Sequence, residues 1–155
     1  MTFHVVAVGR VRNRDLATLC DDYAARTRHY AKLEIHEIPD KSRQAKDPAR
    51  ALREEGRALL RAIPDARLVA LCRDGRRVDS RAFAGRLERW QQDGRDLAFV
   101  IGGAFGLDTA VRQACEEAIS LSDMTYPHEV ARLMLLEQIY RGHTILRGEP
   151  YHKGD

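Results

Sequence analysis

The stretch Leu97-Ala98-Phe99-Val100-Ile101-Gly102-Gly103-Ala104-Phe105-Gly106 joins five consecutive apolar residues to a loop that contains three glycines. A short continuous apolar run predicts a strand that is covered on both faces, as in a parallel sheet. The glycines directly after it allow the main chain to turn tightly and to approach a ligand closely. The loop matches neither a dinucleotide fingerprint nor a Walker loop. Two interpretations stay open here, a cofactor wall and a purely structural turn.

Outward from this stretch, short apolar runs alternate with helical patterns along the whole chain. Strands are predicted at residues 3–9, 33–38, 68–72, 97–101 and 118–121, and helices at 16–30, 49–63, 83–93 and 127–145. This alternation is typical of the α/β class, with a mostly parallel sheet flanked by helices. The chain has 155 residues and no repeat or flexible linker, so we expect a single domain over 1–155.

The composition indicates a folded protein, because 44% of the residues are hydrophobic and 32% are charged. The net charge of +3 permits an anionic partner without proving one. No signal-like N-terminus and no apolar stretch of roughly 20 residues is present, which favours a cytoplasmic protein without a membrane anchor. The three cysteines are widely spaced among apolar residues, so we expect reduced thiols and no disulfide framework.

The second notable segment, residues 121–128, joins the fifth predicted strand to the last helix. Its hydroxyl groups and main-chain donors are suited to holding a ligand at the N-terminus of a helix. The alternative is that Ser122, Asp123 or Thr125 caps the helix. No Cys-x-x-Cys or His-Glu-x-x-His motif occurs and the six histidines are scattered along the sequence, so no metal site is expected.

The last predicted helix is apolar almost all round, which favours burial in the core and also against a second subunit. Glu137 and Arg141 are spaced as an i, i+4 pair on its surface. Arg132 has no carboxylate on its own helix face and is therefore a candidate for a phosphate contact. Residues 40–47 lack periodicity and predict a mobile surface loop, whose Lys41 and Arg43 are further candidates.

Several motifs then occur together in one chain: Ile101-Gly102-Gly103 with Gly106, Leu121-Ser122 before Pro127-His128, Leu136-Glu137-Gln138 before Tyr140-Arg141, and the ending Pro150-Tyr151-His152-Lys153. In this combination and at this length, the sequence closely resembles the ribosomal large-subunit pseudouridine N3-methyltransferase H family. The similarity begins at Val6-Ala7-Val8-Gly9 and runs to the terminal segment.

The resemblance implies a SPOUT fold, an α/β knot in which the C-terminal segment threads a loop to form a trefoil knot. Topology rules alone would predict an unknotted sheet, because knots are rare. The resemblance also implies a homodimer that binds S-adenosyl-L-methionine among the knot loops. The cofactor-binding positions expected from it are Leu71, Gly102, Gly103, Ser122, Asp123, Met124, Thr125, Tyr126 and Pro127.

The implied reaction is methyl transfer to N3 of a pseudouridine in the helix 69 loop of bacterial 23S rRNA, on the assembled ribosome. That nitrogen mostly holds its proton at neutral pH, so the reaction needs a positioned base. We expect His152 to be this base. Tyr151 is expected to stack on the target base, and Lys153 to hold a phosphate or the developing anion. RNA contacts are expected from Arg132, Arg10 and Lys153.

Two other functions remain open at this point. A related knotted enzyme that methylates a ribose hydroxyl or a guanine of tRNA would share the cofactor loops, but not the ending Tyr151-His152-Lys153. A ribosome-binding module without catalytic activity would keep the fold and transfer no methyl group.

Overall fold

Five parallel strands form one sheet, and helices cover both of its faces. The computed structural model describes residues 1–152, the last of them in its backbone only. The strands are β1 (Phe3–Val8), β2 (Leu33–Ile38), β3 (Arg67–Arg77), β4 (Leu97–Ile101) and β5 (Glu117–Ser120). The helices are α1 (Arg14–Arg28), α2 (Pro48–Ala62), α3 (Ser80–Asp93), α4 (Thr109–Ala114) and α5 (His128–Leu146), followed by a 3₁₀ turn, Pro150–His152.

The order of the strands in the sheet is β2-β1-β4-β3-β5, and every pairing is parallel. The carboxyl ends of all five strands therefore lie at one edge of the sheet. The predicted α/β class with a parallel sheet is confirmed. Because β4, β3 and β5 are neighbours in this order, the loops that follow them meet at one end of that edge.

The two faces of the sheet are covered by different sets of helices. Along β1, Phe3, Val5 and Ala7 point into a core formed with α1, α3 and α5. Val6 and Val8 alternate with them and pack on the side of α2 and α4. All of these side chains are almost completely buried, which explains why the strands read as continuous apolar runs.

Most helices begin at a side chain that accepts a main-chain N–H from the first turn. Asn13, Asp47, Asp79 and Asp108 do so for α1, α2, α3 and α4. The four long helices match their predicted positions to within two residues, except that α3 begins three residues earlier than predicted. The six-residue helix α4 was not predicted.

Strand β3 is longer than its apolar segment predicts. We expected a strand over residues 68–72, whereas β3 continues to Arg77 with a register shift between Leu71 and Arg76. The charged extension pairs with β5. A Cβ atom at Gly75 would lie 2.6 Å from the main chain of Ile119, so a glycine is required where the two strands approach.

The loop between β2 and α2 lies at the surface, as predicted, but its first part is anchored. Glu55 of α2 is buried, and its Oε1 accepts the main-chain N–H groups of Lys41 (2.7 Å) and Ser42 (2.6 Å). Ser42 is itself buried. The expectation of a mobile loop is therefore wrong for this part.

The parallel pairing of β1 with β2 brings together two histidines that are distant in the sequence. His4 is opposite Glu34 in the register, and His36 follows Glu34 on the same face of β2. The expectation that the histidines are scattered is wrong for His4 and His36.

The three cysteines agree with the expectation of reduced thiols. Cys20, Cys72 and Cys115 are free thiols, and Cys20 is buried. Among residues 1–152, no helix is both long and apolar enough to cross a membrane.

Candidate active site

A cleft of about 950 Å³ opens where the carboxyl ends of β3, β4 and β5 meet the beginning of α5. Its walls come from residues 71–74, 101–107, 121–122 and 124–128, together with Arg112 and Ala131. The volume is at the upper end of the range for small-molecule sites, which favour such strand ends in α/β proteins.

The loop after β4 forms one wall of the cleft. Its first residue, Gly102, has no space for a side chain, so only main chain is present at this position. A Cβ atom at Gly102 would lie 2.9 Å from the nitrogen of Leu107 and even closer to the carbonyl group of Gly106. Gly106 has a φ of +77° and donates its N–H to the carbonyl oxygen of Gly103 at 3.0 Å. The close approach at Gly102 and the left-handed residue at Gly106 together form a tight turn. The turn is structural and at the same time lines the cleft.

The segment before α5 lies on the opposite wall. The Oγ of Ser122 accepts the N–H of Met124 at 3.0 Å, and Ser120 donates its hydroxyl to the carbonyl oxygen of Ser122. Pro127 precedes the helix, and no side chain caps it. The alternative that Ser122, Asp123 or Thr125 caps α5 is therefore wrong. The positive end of α5 lies at the cleft, where it favours an electron-rich ligand group.

The end of β3 and helix α4 supply polar side chains that the sequence analysis did not select. Arg112 hydrogen-bonds the Sγ of Cys72, and its Nη2 lies 3.4 Å from Oδ2 of Asp74. Burial raises the pKa of the Cys72 thiol to about 11, so it is protonated at neutral pH and a poor nucleophile. A hydrogen bond from Cys72, together with the charge of Arg112, lowers the pKa of Asp74. The cleft therefore holds a carboxylate at neutral pH.

Eight of the nine predicted cofactor positions line the cleft: Leu71, Gly102, Gly103, Ser122, Met124, Thr125, Tyr126 and Pro127. Asp123 does not belong to the lining, and its carboxylate pairs with Arg77 at 2.8 Å. Phe105 and Met124 are exposed at the rim. Arg112 was missed because it lies on a helix too short to give a periodic signal.

Arg132 does not have the free side chain that we expected. Its Nη1 donates to Oε1 of Glu37 at 2.5 Å and its Nη2 to the carbonyl oxygen of Gly9 at 2.6 Å. Only 2% of the residue is exposed. The prediction that Arg132 lacks a carboxylate partner is wrong, because the partner comes from β2 rather than from its own helix. Arg10, by contrast, is exposed.

The chain's last described residues are held against α1 and α5. The hydroxyl of Tyr151 lies 3.1 Å from that of Tyr23 and donates to Oε1 of Glu137 at 3.1 Å. Arg141 lies over the Tyr151 ring and also pairs with Glu137, as predicted from its i, i+4 spacing. None of these four residues lines the cleft. The side chain of His152 and all of Lys153 lie outside the described residues.

A parallel sheet with a cleft at its carboxyl edge occurs in many α/β proteins. The fold and the cleft alone therefore do not define the class of protein, but the similarity to a known family does. The family described as predicted SPOUT methyltransferase matches residues 1–152. The chain belongs to this SPOUT methyltransferase family and is a methyltransferase.

Its curated relatives specify the resemblance further. A protein of Anaeromyxobacter sp. (strain Fw109-5) named ribosomal RNA large subunit methyltransferase H is 48% identical, covering 99% of this chain and all of the relative. A protein of Bordetella petrii with the same name is 41% identical over 99% of each chain. The resemblance drawn from the motifs is confirmed.

Solved structures with low sequence identity share the fold. The tRNA (m1G37) methyltransferase of Aquifex aeolicus aligns with a TM-score of 0.57 at 12% identity, covering all of this chain and 73% of that one. The SpoU methyltransferase AviRb of Streptomyces viridochromogenes, solved in complex with AdoMet, aligns with a TM-score of 0.50 at 15% identity. That alignment covers 90% of this chain and 57% of AviRb.

Proposed function

We propose that this methyltransferase uses S-adenosyl-L-methionine to methylate N3 of a pseudouridine in the helix 69 loop of bacterial 23S rRNA, acting in the cytoplasm on the assembled ribosome. The observation that carries the proposal is the cleft, which gathers eight of the nine expected cofactor positions in a chain whose relatives are named for this RNA. The mapped residues come from three separate segments of the sequence, and their convergence at one edge of the sheet supports the proposal.

The cleft fits the proposed cofactor in size and in the groups it offers. Gly102 and Gly103 line the cleft without side chains, so an adenine ring can approach the main chain closely there. The uncapped N-terminus of α5 suits an electron-rich group, and the carboxylate of Asp74 suits a hydroxyl or ammonium donor. When bound, the cofactor supplies an electrophilic methyl group on its sulfonium.

The chain must supply a base for the proton on N3. Asp74 is held by Arg112 and Cys72, and the Cys72 thiol has a raised pKa, so neither is well suited to this transfer. We assign the role to His152, because histidine is the side-chain type best suited to exchange a proton at neutral pH. Tyr151 is anchored to Tyr23 and Glu137, which positions the residue after it.

The position of the tail favours a homodimer with shared active sites. Tyr151 and the side chains around it lie away from the cleft of their own chain. The part of α5 near the cleft carries Leu133 and Met134, which are apolar and only partly buried. In our proposal, α5 packs against its copy in a second subunit. The C-terminal residues of each chain, from Tyr151 onward, then serve the cleft of the other subunit. The trefoil knot implied by the family belongs to the same proposal.

RNA recognition is assigned to the basic groups that remain accessible. Arg10 is exposed after β1, and Lys41 and Arg43 lie on the loop before α2. Lys153 follows the proposed base directly in the sequence. Arg132 is left out because its guanidinium is buried against Glu37 and Gly9.

The test measures transfer of labelled methyl from S-adenosyl-L-methionine to intact 70S ribosomes, separated subunits, naked rRNA and tRNA. Wild type should label a helix 69 pseudouridine in intact ribosomes. His152→Ala should lower the rate by at least 100-fold, a typical contribution of general-base catalysis, with cofactor affinity unchanged. His29→Ala, an exposed histidine at the end of α1, should behave as wild type.

Other outcomes would replace the proposal. Label on tRNA would indicate the related knotted tRNA enzyme, and cofactor binding without label on any RNA would indicate the non-catalytic module.

Mixed dimers test whether the two subunits share active sites. In these dimers one subunit carries His152→Ala and the other carries a cofactor-loop substitution. Recovered activity supports catalysis across the interface, and the absence of recovery refutes it.

A further inference from the structure

Three side chains on the sheet, far from the cleft, direct polar atoms at a common point. His4 Nδ1 and His36 Nε2 are 3.1 Å apart. The Oε2 atom of Glu34 lies 3.7 Å from each of these nitrogens. His4 is buried, whereas Glu34 and His36 are half-buried on the edge strand β2. The three atoms therefore form an isosceles triangle, and two of the three residues that supply them are only partly buried.

The dimensions of this triangle match those of a small divalent metal ion. A triangle with sides of 3.1, 3.7 and 3.7 Å has a circumscribed radius of about 2.0 Å. An ion at or just above its centre would lie about 2.0–2.2 Å from both nitrogens and from the oxygen, which are the usual zinc–imidazole and zinc–carboxylate distances. Two histidines and one carboxylate are also a common donor set for zinc.

His4 Nδ1 and His36 Nε2 hydrogen-bond each other in this structure, and an ion bound between them would replace that hydrogen bond. His4 Nε2, the nitrogen that faces away from the triangle, lies 3.6 Å from Oδ2 of Asp96, as in the carboxylate–histidine–metal arrangements of many metal sites. Lys32 approaches the other oxygen of Glu34, Oε1, at 3.4 Å.

We propose that His4, Glu34 and His36 form a binding site for one Zn²⁺ ion or a similar first-row transition-metal ion, with water completing the coordination. His4 lies near the amino end of β1, and the cleft lies at the carboxyl edge of the sheet. The ion is therefore structural, and it fastens the edge strand β2 to β1. Such an ion contradicts the sequence-based expectation that the chain holds no metal.

The test uses the full chain, purified without a polyhistidine tag and stripped of metal with a chelator. Titration calorimetry with ZnCl₂ should show one site per chain with micromolar or tighter affinity. The Co²⁺ form should show the visible absorption of a tetrahedral site. His36→Gln and Glu34→Gln should each weaken binding by about tenfold or more, whereas the exposed control His29→Gln should leave it unchanged.

Thermal unfolding provides a second measurement that does not depend on spectroscopy. Zn²⁺ should raise the midpoint of wild type and of His29→Gln, but not that of His36→Gln, because only a ligand of the folded state stabilises it. Circular dichroism without metal checks that His36→Gln is folded. The proposal is overturned if wild type shows no saturable Zn²⁺ binding. Equal affinity in wild type and His36→Gln overturns it as well, since the ion would then bind elsewhere, for example to a thiol.

Discussion

Substitution of Gly102 by alanine tests whether the main-chain wall of the cleft depends on the absence of a side chain. The added Cβ would lie 2.9 Å from Leu107 N and closer to the Gly106 carbonyl, whereas ordinary contacts are 3.4–4 Å. The 103–106 turn must therefore retreat by about 1 Å, and a displacement of that size can reduce the function of a site by 10²-fold. We expect the Kd for S-adenosyl-L-methionine, measured by calorimetry, to rise by about 10–100-fold.

The same substitution should also lower stability, and a second glycine provides the control. Overpacking costs about 1–3 kcal/mol, which lowers the Tm of a domain of this size by about 2–12 °C. Gly85 lies within α3 with open space around its Cβ position. Gly85→Ala should raise the unfolding free energy by about 0.5–1 kcal/mol and leave the Kd unchanged. Wild-type affinity and Tm in Gly102→Ala would refute the reasoning.

Three further predictions concern contacts outside the cleft. Arg132→Met should lower the unfolding free energy, measured by urea denaturation, by about 1–3 kcal/mol, because the Gly9 carbonyl loses its hydrogen-bond donor. Arg10→Met, at an exposed position, should change the unfolding free energy by less than about 0.5 kcal/mol. An equal effect in both variants would contradict the buried role of Arg132. Glu55→Ala should cost about 1–3 kcal/mol and speed amide exchange at Lys41 and Ser42, whereas Glu54→Ala should do neither. The hydrogen bond to Glu149 raises the pKa of Tyr30 to about 12, so the folded state retains a proton that the unfolded state releases near pH 10. Stability should therefore fall as the pH rises from 10 to 12, and less steeply in Tyr30→Phe; parallel curves for the two proteins would exclude this contribution.

Local patterns sufficed where neighbouring residues alone determine the structure. The five apolar residues of β4 were predicted to the residue, because a strand buried on both faces leaves no room for polar side chains. The preference of proline for helix N-termini predicted that α5 begins at Pro127, and the helix begins one residue later, at His128. The glycines after β4 indicated one wall of the cleft, whereas Leu71 and Tyr126 were expected at its walls from the family resemblance alone.

The contacts that sequence reasoning missed join residues that are distant along the chain. Glu37 reaches Arg132 only because β2 lies beside β1, and the same pairing brings His36 to His4. Strand order is not readable from periodicity, so both were hidden. The charged end of β3 was missed for a related reason: its hydrogen bonds to β5 depend on a close approach at Gly75 rather than on apolar side chains.

The main-chain wall at Gly102 also bears on how an inhibitor of this enzyme would fare against resistance. Point mutations usually defeat a competitive inhibitor by exchanging a side chain that it contacts. A compound that binds the main chain at Gly102 would offer no such side chain, and any replacement there collides with the Gly106 carbonyl. In our proposal the natural cofactor contacts the same wall, so escape at this position would damage its binding as well, which makes this wall a favourable anchor for inhibitor design.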